Sequence, residues 1–483
     1  MSKKLIGPLS QQDNLKSMSD SLDPYLYSWP HSELHKNSKW HDTEALFSER
    51  LLPETTTELE QDSRWPLFFP ATICIVTTMD GKTTAMEKVV GPSIVNRFPY
   101  ILALSFCTKW MSDRHHPRSL FTKTLESGMG VAVQFFPPGK LLDQVLTGVL
   151  EVEEKLSGDR IARTGLSTRK ALTNDSPVFN SAYLVYEAQL ARPGKDFHGR
   201  IILEKPWVDI GSHRIYFLEI NAIQLDEEIA HGKKQIAWRS LPTWLPKMER
   251  KASSKPKASA KCSTKYTKGY TPDYRFPSSG TVAFESDSSE HAMAIKRLSQ
   301  LPENQVEVDN DRARWPCFFP SSVGMITTYS KEGIPNLMPC GSTTIVSRHP
   351  MTIAIALSNT SINERYAPRS SLEMITRSGK FGCGVPFVDE KILNAIRYAG
   401  NISFQSDPQK IFNAGLEFVK TSSNTPVLSD LPLHMDCEVI DQKHLGTHTL
   451  VFGEVKRVLV RKDVTPANPI KWIPWANVVK GEQ

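Results

Sequence analysis

Long apolar runs and closely spaced cysteine pairs are both missing from this sequence. Among its 483 residues no apolar stretch approaches the roughly 20 residues that a membrane-crossing helix requires. The first 15 residues contain two lysines but no apolar segment behind them, which disfavours a secretory signal peptide. The seven cysteines are odd in number and include no Cys-x-x-Cys pair. We therefore expect reduced thiols in a soluble cytoplasmic protein without a membrane partner.

Motifs for dinucleotides, nucleoside triphosphates and metals are absent as well. No Gly-x-Gly-x-x-Gly follows a predicted strand and no Walker-type loop occurs, so a nicotinamide nucleotide would have to bind without a Rossmann domain. His31, His35 and His41 have a spacing that could bring imidazoles together, but Pro30 adjoins them and no cysteine is near. We interpret them as part of a solvated extension and predict no metal site.

The net positive charge is confined to one segment. The composition is ordinary for a globular protein, with 40% hydrophobic and 23% charged residues. The net charge is +6, yet residues 247–268 alone hold eight basic residues against one acidic residue. This segment is rich in Lys, Ser and Ala and has almost no apolar residues, so we predict a flexible linker. A nucleic-acid or membrane role for these charges is the disfavoured alternative.

The sequences on the two sides of this linker repeat each other. Arg64–Pro70 (RWPLFFP) recurs as Arg314–Pro320 (RWPCFFP), with six identities in seven positions. At a nearly constant offset of 251 residues, Arg114–Ser119 also matches Arg365–Ser370. Such a period is too long for a solenoid and indicates duplicated domains. The predicted organisation is an N-terminal extension (1–39), a first domain (40–245), a basic flexible linker (246–287) and a second domain (288–483).

Short runs of β-branched residues dominate both copies. The runs bounded by Gly, Pro, Asn and Ser are predicted strands, and they include Ile73–Thr78, Val323–Thr328, Thr352–Leu357 and Leu450–Val455. Helical periodicity is limited to a few segments, which include Ala292–Leu301, Ser371–Arg377 and Lys391–Tyr398. Many strands with few helices predict a mainly β fold with peripheral helices.

The second copy carries an ordered series of motifs. A strand that ends in Ile326-Thr327-Thr328 is followed by the run Pro335–Ser342, and Pro368–Ser371 then leads into a helix. Asp407–Leu416 and His448–Glu454 complete the series. Together these segments resemble the flavin reductase-like, FMN-binding split-barrel family, which includes flavoredoxins and the reductase components of two-component monooxygenases. The resemblance implies two tandem FMN-binding split β-barrel domains.

The resemblance also implies an FMN site in the second copy. A flavin phosphate and its ribityl hydroxyl groups need backbone N–H groups and small side chains nearby, which Cys340–Thr344 offers. Arg369, Ser370 and Ser371 at a helix start offer a cation and helix N-terminal donors, although a plain N-cap role for Ser370 is the alternative. The predicted cofactor-binding residues are Asn336, Met338, Pro339, Cys340, Gly341, Ser342, Thr343, Thr344, Arg369, Ser370 and Ser371.

Two further residues of the second copy could take part in chemistry. His448 has a counterpart in His213 of the first copy, so a structural role and a contact with flavin or substrate both stay open. Cys340 could be a redox thiol, but no resolving cysteine lies near it in the sequence, so this role is disfavoured. The catalytic residues remain unassigned.

The first copy departs from the pattern at the predicted site. Thr83–Val89 stands opposite Pro335–Gly341 and places Glu87 and Lys88 where small groups are expected, with Lys88 opposite Cys340. We predict that the first copy keeps the fold but has a degraded or altered flavin site. In this family FMN lies at the interface of a homodimer, so the resemblance implies an intramolecular pseudo-dimer; further oligomerisation is left open.

The resulting hypothesis is an FMN-dependent oxidoreductase. It transfers hydride between NAD(P)H, as a transient co-substrate, and flavin or a bound small organic substrate. A flavin-using enzyme is a candidate partner. Two alternatives remain open, namely a flavoprotein electron carrier and a split-barrel binding module without catalysis.

Overall fold

The computed structural model describes most of both predicted domains. The described residues are 41–42, 46–51, 71–97, 99–108, 119–136, 140–150, 157–195, 199–230, 240–241, 285–286, 293–297, 323–348, 350–359, 368–387, 389–419, 421 and 423–463. The predicted N-terminal extension, both Arg-Trp-Pro repeats and most of the predicted basic linker lie outside the described residues.

Strands make up most of the described chain, as the runs of Val, Ile and Thr predict. Before the linker they are β1 (His41–Asp42), β2 (Phe47–Leu51), β3 (Ala71–Asp80), β4 (Thr83–Val90), β5 (Ser93–Asn96), β6 (Ile101–Cys107), β7 (Val131–Phe135), β8 (Thr168–Lys170), β9 (Pro177–Phe179), β10 (Leu184–Leu190), β11 (Gly194–Lys195), β12 (Ile201–Ile202), β13 (Trp207–Ile210), β14 (His213–Asp226) and β15 (Ser240–Leu241). The later strands are β16 (Glu285–Ser286), β17 (Met293–Arg297), β18 (Gly324–Tyr329), β19 (Pro335–Cys340), β20 (Thr343–Arg348), β21 (Met351–Ser358), β22 (Lys380–Val385), β23 (Phe418–Val419), β24 (Val427–Leu428), β25 (Leu433–His444) and β26 (His448–Arg461).

The helices are short and lie between strands. They are α1 (Leu120–Glu126), α2 (Lys140–Leu150), α3 (Ser157–Arg163), α4 (Glu227–Ala230), α5 (Ser370–Ser378), α6 (Glu390–Asn401) and α7 (Lys410–Asn413). Within the described ranges none is long and apolar enough to cross a membrane, and no group of three His, Cys, Asp or Glu side chains could hold a metal ion. The predicted mainly β fold with peripheral helices is confirmed.

The parts of the chain before and after the predicted linker, here called the first and second halves, pair their strands in the same order. In the first half the antiparallel neighbours run β4–β3–β7–β10–β14–β6–β5. In the second half the order is β19–β18–β22–β25–β26–β21–β20. Helix α1 corresponds in sequence order to α5, and α2 to α6. The first half differs by inserting β11, β12 and β13 between β10 and β14.

Each sheet is extended by a strand from the other half of the chain. β2 pairs antiparallel with β26 of the second half, from Phe47 opposite Arg461 to Leu51 opposite Arg457. β17 pairs antiparallel with β14 of the first half, from Met293 opposite Asp226 to Arg297 opposite Ala222. We call this arrangement the strand exchange. The exchange is reciprocal. β2, near the start of the first half, joins the sheet of the second half, and β17, near the start of the second half, joins the sheet of the first.

The predicted helix over Ala292–Leu301 is wrong, because Met293–Arg297 forms β17. The segment is rich in residues that favour helices when isolated. Here, however, it meets the unpaired edge of β14, where backbone hydrogen bonds and burial of Met293, Ala294 and Ile295 favour a strand. The predicted helices over Ser371–Arg377 and Lys391–Tyr398 are confirmed as α5 and α6.

A hydrophobic cluster joins the two halves. It includes Ile101 and Phe217 of the first half together with Ala354, Leu450 and Phe452 of the second, all buried. We call this surface the junction. Burying apolar area of this kind is the main favourable contribution to association.

Side-chain hydrogen bonds also cross the junction. The Ser105 hydroxyl donates to the carbonyl oxygen of Val346 at 2.6 Å, and the Thr344 hydroxyl donates to that of Gly91 at 2.7 Å. Each bond satisfies a carbonyl group that the contact between the halves would otherwise cover.

A buried carboxylate ties the exchanged strand β2 to the second half. Asp436 on β25 accepts hydrogen bonds from the Ser423 and Thr425 hydroxyl groups. Arg457 on β26 lies 3.9 Å from Asp436 and 3.0 Å from Glu49 of β2. Burial by itself raises the pKa of Asp436, but His434 and the two hydroxyl donors outweigh it and hold the pKa below its usual value.

We expect Asp436 to make the second half sensitive to acid. Because its pKa is lower in the folded chain, its stabilising contribution is present above the unfolded pKa of about 4 and is lost as the pH falls below that value. Asp436→Asn should lower the free energy of unfolding by about 2 kcal/mol at neutral pH, with a smaller difference at pH of about 3. Urea unfolding at the two pH values measures this. A deficit of equal size at both would contradict it.

Candidate functional site

A buried amide lies at the centre of the predicted site. Asn336 on β19 is 1% exposed, and its Nδ2 donates to the Ser371 hydroxyl at 2.9 Å and contacts Met374 Sδ at 3.5 Å. Its Oδ1 is buried and accepts no hydrogen bond from the residues that the structure describes. A buried amide oxygen without a donor costs free energy unless a bound group satisfies it.

The start of α5 lies beside this amide. The helix begins at Ser370, and Arg369 is its N-cap residue with an extended backbone (φ −80°, ψ 124°). Within the described chain no side chain caps the first turn. In the first half, by contrast, the Ser119 hydroxyl caps α1 by accepting from the backbone N–H of Thr122 at 3.1 Å. The helix start of the second half therefore keeps N–H donors that suit an anion.

The alternative role of Ser370 as an N-cap is not observed, because Ser370 is already the first residue of α5. Its counterpart Ser119, by contrast, immediately precedes α1. Arg369 is half-buried at this point, and its backbone N–H donates to the Ser358 carbonyl at 2.9 Å. Its guanidinium acts electrostatically on Cys340, Lys410 and His448. The positive charge of Arg369 therefore affects all three residues.

Lys410 on α7 is a further cation, which the sequence reasoning did not assign to the site. It is 3% exposed, and its Nζ donates to the Ile402 carbonyl at 3.3 Å. Burial, followed by the positive charge of Arg369, lowers the pKa of Lys410 to about 7, although Asp407 acts in the opposite direction. The repeat contained a signal for this residue, because Arg160 occupies the same place in the first half, 250 residues earlier.

The corresponding position in the first half is occupied by the chain's own groups. Arg160 Nη1 lies 2.8 Å from Glu87 Oε1 and donates to the Met86 carbonyl at 2.8 Å. Strand register places Ala85 opposite Thr78, whereas Asn336 is opposite Thr328 in the second half. The first half therefore lacks the amide of Asn336, and a carboxylate already neutralises its buried cation.

The predicted alignment of Lys88 with Cys340 is wrong by one residue. Val89 pairs with Cys74, and Cys340 pairs with Gly324, so Val89 is the counterpart of Cys340. The cause is the length of one hairpin. Between equivalent paired residues, the hairpin that joins β18 to β19 is one residue longer than the corresponding hairpin that joins β3 to β4. By the same register Glu87 corresponds to Met338.

The rest of the predicted run is mostly bound into the fold. Met338 and Cys340 are part of the hydrophobic core, and burial raises the pKa of the Cys340 thiol, which disfavours a reactive thiolate. The Thr343 hydroxyl donates to the Cys340 carbonyl at 3.0 Å, and that of Thr344 crosses the junction. Pro339 is buried, whereas Gly341 and Ser342 are half-buried at the turn into β20.

His448 lies at the junction and contacts the first half. Its backbone N–H donates to Asn96 Oδ1 at 2.9 Å, and its Nδ1 is 2.8 Å from the Thr447 hydroxyl. Burial, reinforced by Arg97 and Arg369, holds the pKa of His448 well below its usual value, so the imidazole is neutral at pH 7.

His213, the counterpart of His448, also follows a hydroxyl residue that contacts the other half. Its Nδ1 is 2.8 Å from the Ser212 hydroxyl, and the Ser212 backbone N–H donates to the Ser347 hydroxyl at 3.3 Å. Each histidine thus follows a hydroxyl residue that hydrogen-bonds across the junction. Ser212 contacts the second half, and Thr447 contacts Asn96 of the first half.

Comparison with known sequences locates a family within the second half. Residues 316–474 match the model of the flavin reductase like domain. The chain is 27% identical over 148 residues to the actinorhodin polyketide dimerase of Streptomyces coelicolor, covering 31% of this chain and 75% of that protein. It is 25% identical over 145 residues to a flavin reductase of Pseudomonas putida, covering 30% and 76% of the two chains.

Solved structures with similarity to this chain include a flavoredoxin of Desulfovibrio vulgaris, at 22% identity, a TM-score of 0.27 and coverage of 33% of this chain and 79% of that one. Another is nitrilotriacetate monooxygenase component B from Bacillus cereus, at 21% identity, a TM-score of 0.30 and coverage of 36% and 87%. Through residues 316–474, the chain is therefore similar to the flavin reductase-like family.

Proposed function

We propose that the chain is an FMN-dependent oxidoreductase that uses NAD(P)H and holds its flavin in the second half. The proposal rests on the buried polar cluster between β19, the start of α5 and α7. That cluster combines an amide oxygen without a donor among the described residues, an uncapped helix start and two cations, Arg369 and Lys410. It suits a ligand that has one anionic end and several hydroxyl groups.

The cluster fits FMN in two ways. The first-turn N–H groups of α5 and the Arg369 guanidinium suit the phosphate. Asn336 Oδ1 can accept a hydrogen bond from a ribityl hydroxyl group. FMN would supply the hydride chemistry when bound, while these residues bind it, orient it and keep water away.

We assign His448 to the flavin or substrate side of the site. A neutral imidazole can donate or accept a hydrogen bond without adding charge. Because Arg97 and Arg369 both disfavour a positive charge on His448, this region favours an anionic or neutral substrate over a cationic one. The electron acceptor would be a small organic molecule or a partner enzyme that uses reduced flavin.

We further propose that the two halves are duplicated domains that pair as an intramolecular pseudo-dimer. The shared pairing scheme, the strand exchange and the hydrogen bonds of Ser212 and His448 across the junction support this. In this arrangement the first half serves the site of the second half through Asn96 and Arg97. Its own site is degraded, since Ala85 replaces the amide of Asn336 and Glu87 pairs with the buried cation Arg160.

We expect one flavin per chain. Among the described residues, the buried amide of Asn336 and a buried cation without a carboxylate partner, Lys410, occur in the second half and have no counterpart in the first. We therefore expect the second half alone to hold the cofactor tightly. Flavin released on denaturation, measured against protein concentration, gives the ratio. Two tightly bound flavins per chain would contradict the proposed asymmetry.

Anaerobic reduction tests the activity. Full-length protein loaded with FMN is mixed with NADH or with NADPH, and bleaching of the flavin absorbance is followed. Rapid bleaching by either nucleotide supports an oxidoreductase. Bound flavin that neither nucleotide reduces would indicate an electron carrier instead, and a chain that takes up no flavin would indicate a binding module.

A further inference from the structure

The described part of the second half contains a buried lysine without a carboxylate partner. Lys410 is 3% exposed, and within the described residues its Nζ has a single hydrogen bond, to the Ile402 carbonyl at 3.3 Å. Burying an ammonium group without a counter-ion is unfavourable. A position of this kind in a folded protein calls for an anion from outside the chain or for loss of the proton.

The charged and titratable groups around Lys410 do not neutralise it. Arg369, before α5, adds positive charge, and Asp407, before α7, acts in the opposite direction. The Asp407 carboxylate accepts from Tyr398 Oη at 2.9 Å and from Asn413 Nδ2 at 3.0 Å. It makes no ion pair with Lys410 in the described structure, so the local charge stays positive.

The first half shows how the same position is neutralised internally. Arg160, the counterpart of Lys410, is paired with Glu87 at 2.8 Å. Met338 stands where Glu87 stands, so the second half has the buried cation without this carboxylate. The first half thus places a carboxylate within ion-pair distance of this cation, whereas the described residues of the second half place none beside Lys410.

We infer that Lys410 binds the phosphate monoester of the flavin in the second half, and that Glu87 is the built-in substitute for that phosphate in the first half. The inference deepens the proposed function and depends on it. Lys410 would then help Arg369 to distinguish FMN from riboflavin, which lacks the phosphate. Arg369, whose charge acts on Lys410, would bind the same anion together with the start of α5.

Binding of the phosphate should be coupled to a proton. With a pKa of about 7, Lys410 is about half protonated at pH 7 in the ligand-free chain. A phosphate beside it favours the ammonium form, so FMN binding should take up about half a proton at pH 7, and more at pH of about 8. Riboflavin should take up none at this residue.

Calorimetric titration of the full-length, flavin-free chain tests the inference. FMN and riboflavin are each titrated at pH 7 in two buffers that differ in ionisation enthalpy, which reports the protons exchanged. We expect the wild-type chain to prefer FMN and to take up protons with FMN alone. Lys410→Met should weaken FMN binding about 10-fold or more, leave riboflavin binding unchanged and abolish the proton uptake.

Two further variants serve as controls. Lys410→Arg, which introduces the residue found in the first half, should keep the preference for FMN without taking up protons, because arginine stays charged. The double variant Glu87→Met, Arg160→Met removes both partners of the first-half pair and should bind FMN like the wild-type chain.

The possible failures are distinguishable. Equal affinity of the wild-type chain for FMN and riboflavin, without proton uptake, would overturn the role of Lys410 and leave the proposed flavin enzyme standing. An equal loss of both ligands in Lys410→Met would also overturn it, since that pattern indicates a structural role. If the wild-type chain binds neither ligand, the proposed function and the inference fail together.

Discussion

Arg369→Ala is expected to weaken flavin binding about 10- to 150-fold, because a charge-assisted contact with the phosphate is worth roughly 1.5 to 3 kcal/mol. The expectation follows from the position of Arg369 at the start of α5, where its charge also reaches Lys410 and His448. Quenching of flavin fluorescence on titration with the flavin-free protein measures the affinity. The melting temperature of the flavin-free protein should change little.

Arg118→Ala is the matched control for this variant. Arg118 is the repeat counterpart of Arg369 and precedes Ser119 as Arg369 precedes Ser370, although it lies outside the described residues. Since we assign the flavin to the second half, Arg118→Ala should leave the affinity unchanged. An equal loss in both variants, or a marked drop in the stability of flavin-free Arg369→Ala, would refute the assignment.

Phe47→Ala should have the largest effect on stability, a loss of about 3 to 5 kcal/mol in the free energy of unfolding. Phe47 is fully buried on β2 and packs against Val427 and Leu459 of the second half. Removing its ring leaves a cavity between the exchanged strand and the sheet that receives it. Urea unfolding measures the total loss, and hydrogen exchange of β26 amides shows whether it falls on the second half.

Leu46→Ala is the control for Phe47→Ala. Leu46 is the neighbouring residue and is 44% exposed, so its truncation removes little buried area and should cost well under about 1 kcal/mol. If Phe47→Ala were as mild as Leu46→Ala, or if the lost protection fell on first-half strands, β2 would not support the second half.

The mainly β fold could be predicted because its signals are local and occur twice. Alternating and continuous β-branched runs such as Ile73–Thr78 indicate strands, and the repeat at an offset of about 251 residues shows most of the sheet strands a second time. α6 could be predicted for the same reason, since its apolar residues recur at helical spacing and Asp389 caps it. The strand exchange could not be predicted, because a strand sequence defines two faces but not the sheet edge that it joins.

The candidate site could be predicted only in part. Asn336 and Arg369 stood in motifs that a family resemblance brings out, whereas Lys410 becomes informative only when its burial and its missing carboxylate are known. The one-residue error at Lys88 has a similar origin. The length of a hairpin decides which residues of its two strands face each other. No clear sequence pattern indicates that the turn between β18 and β19 is longer than the turn between β3 and β4.

The strand exchange also sets an order of events during synthesis. β14 is complete at residue 226, but its last residues pair with β17, which ends at residue 297. At a ribosomal rate of roughly 5 to 20 residues per second, this edge waits about 4 to 14 s for its partner. The second half has no such delay, because β2 emerges long before β26. The nascent first half therefore presents an open strand edge to chaperones and neighbouring chains at a stage when the second half does not yet exist.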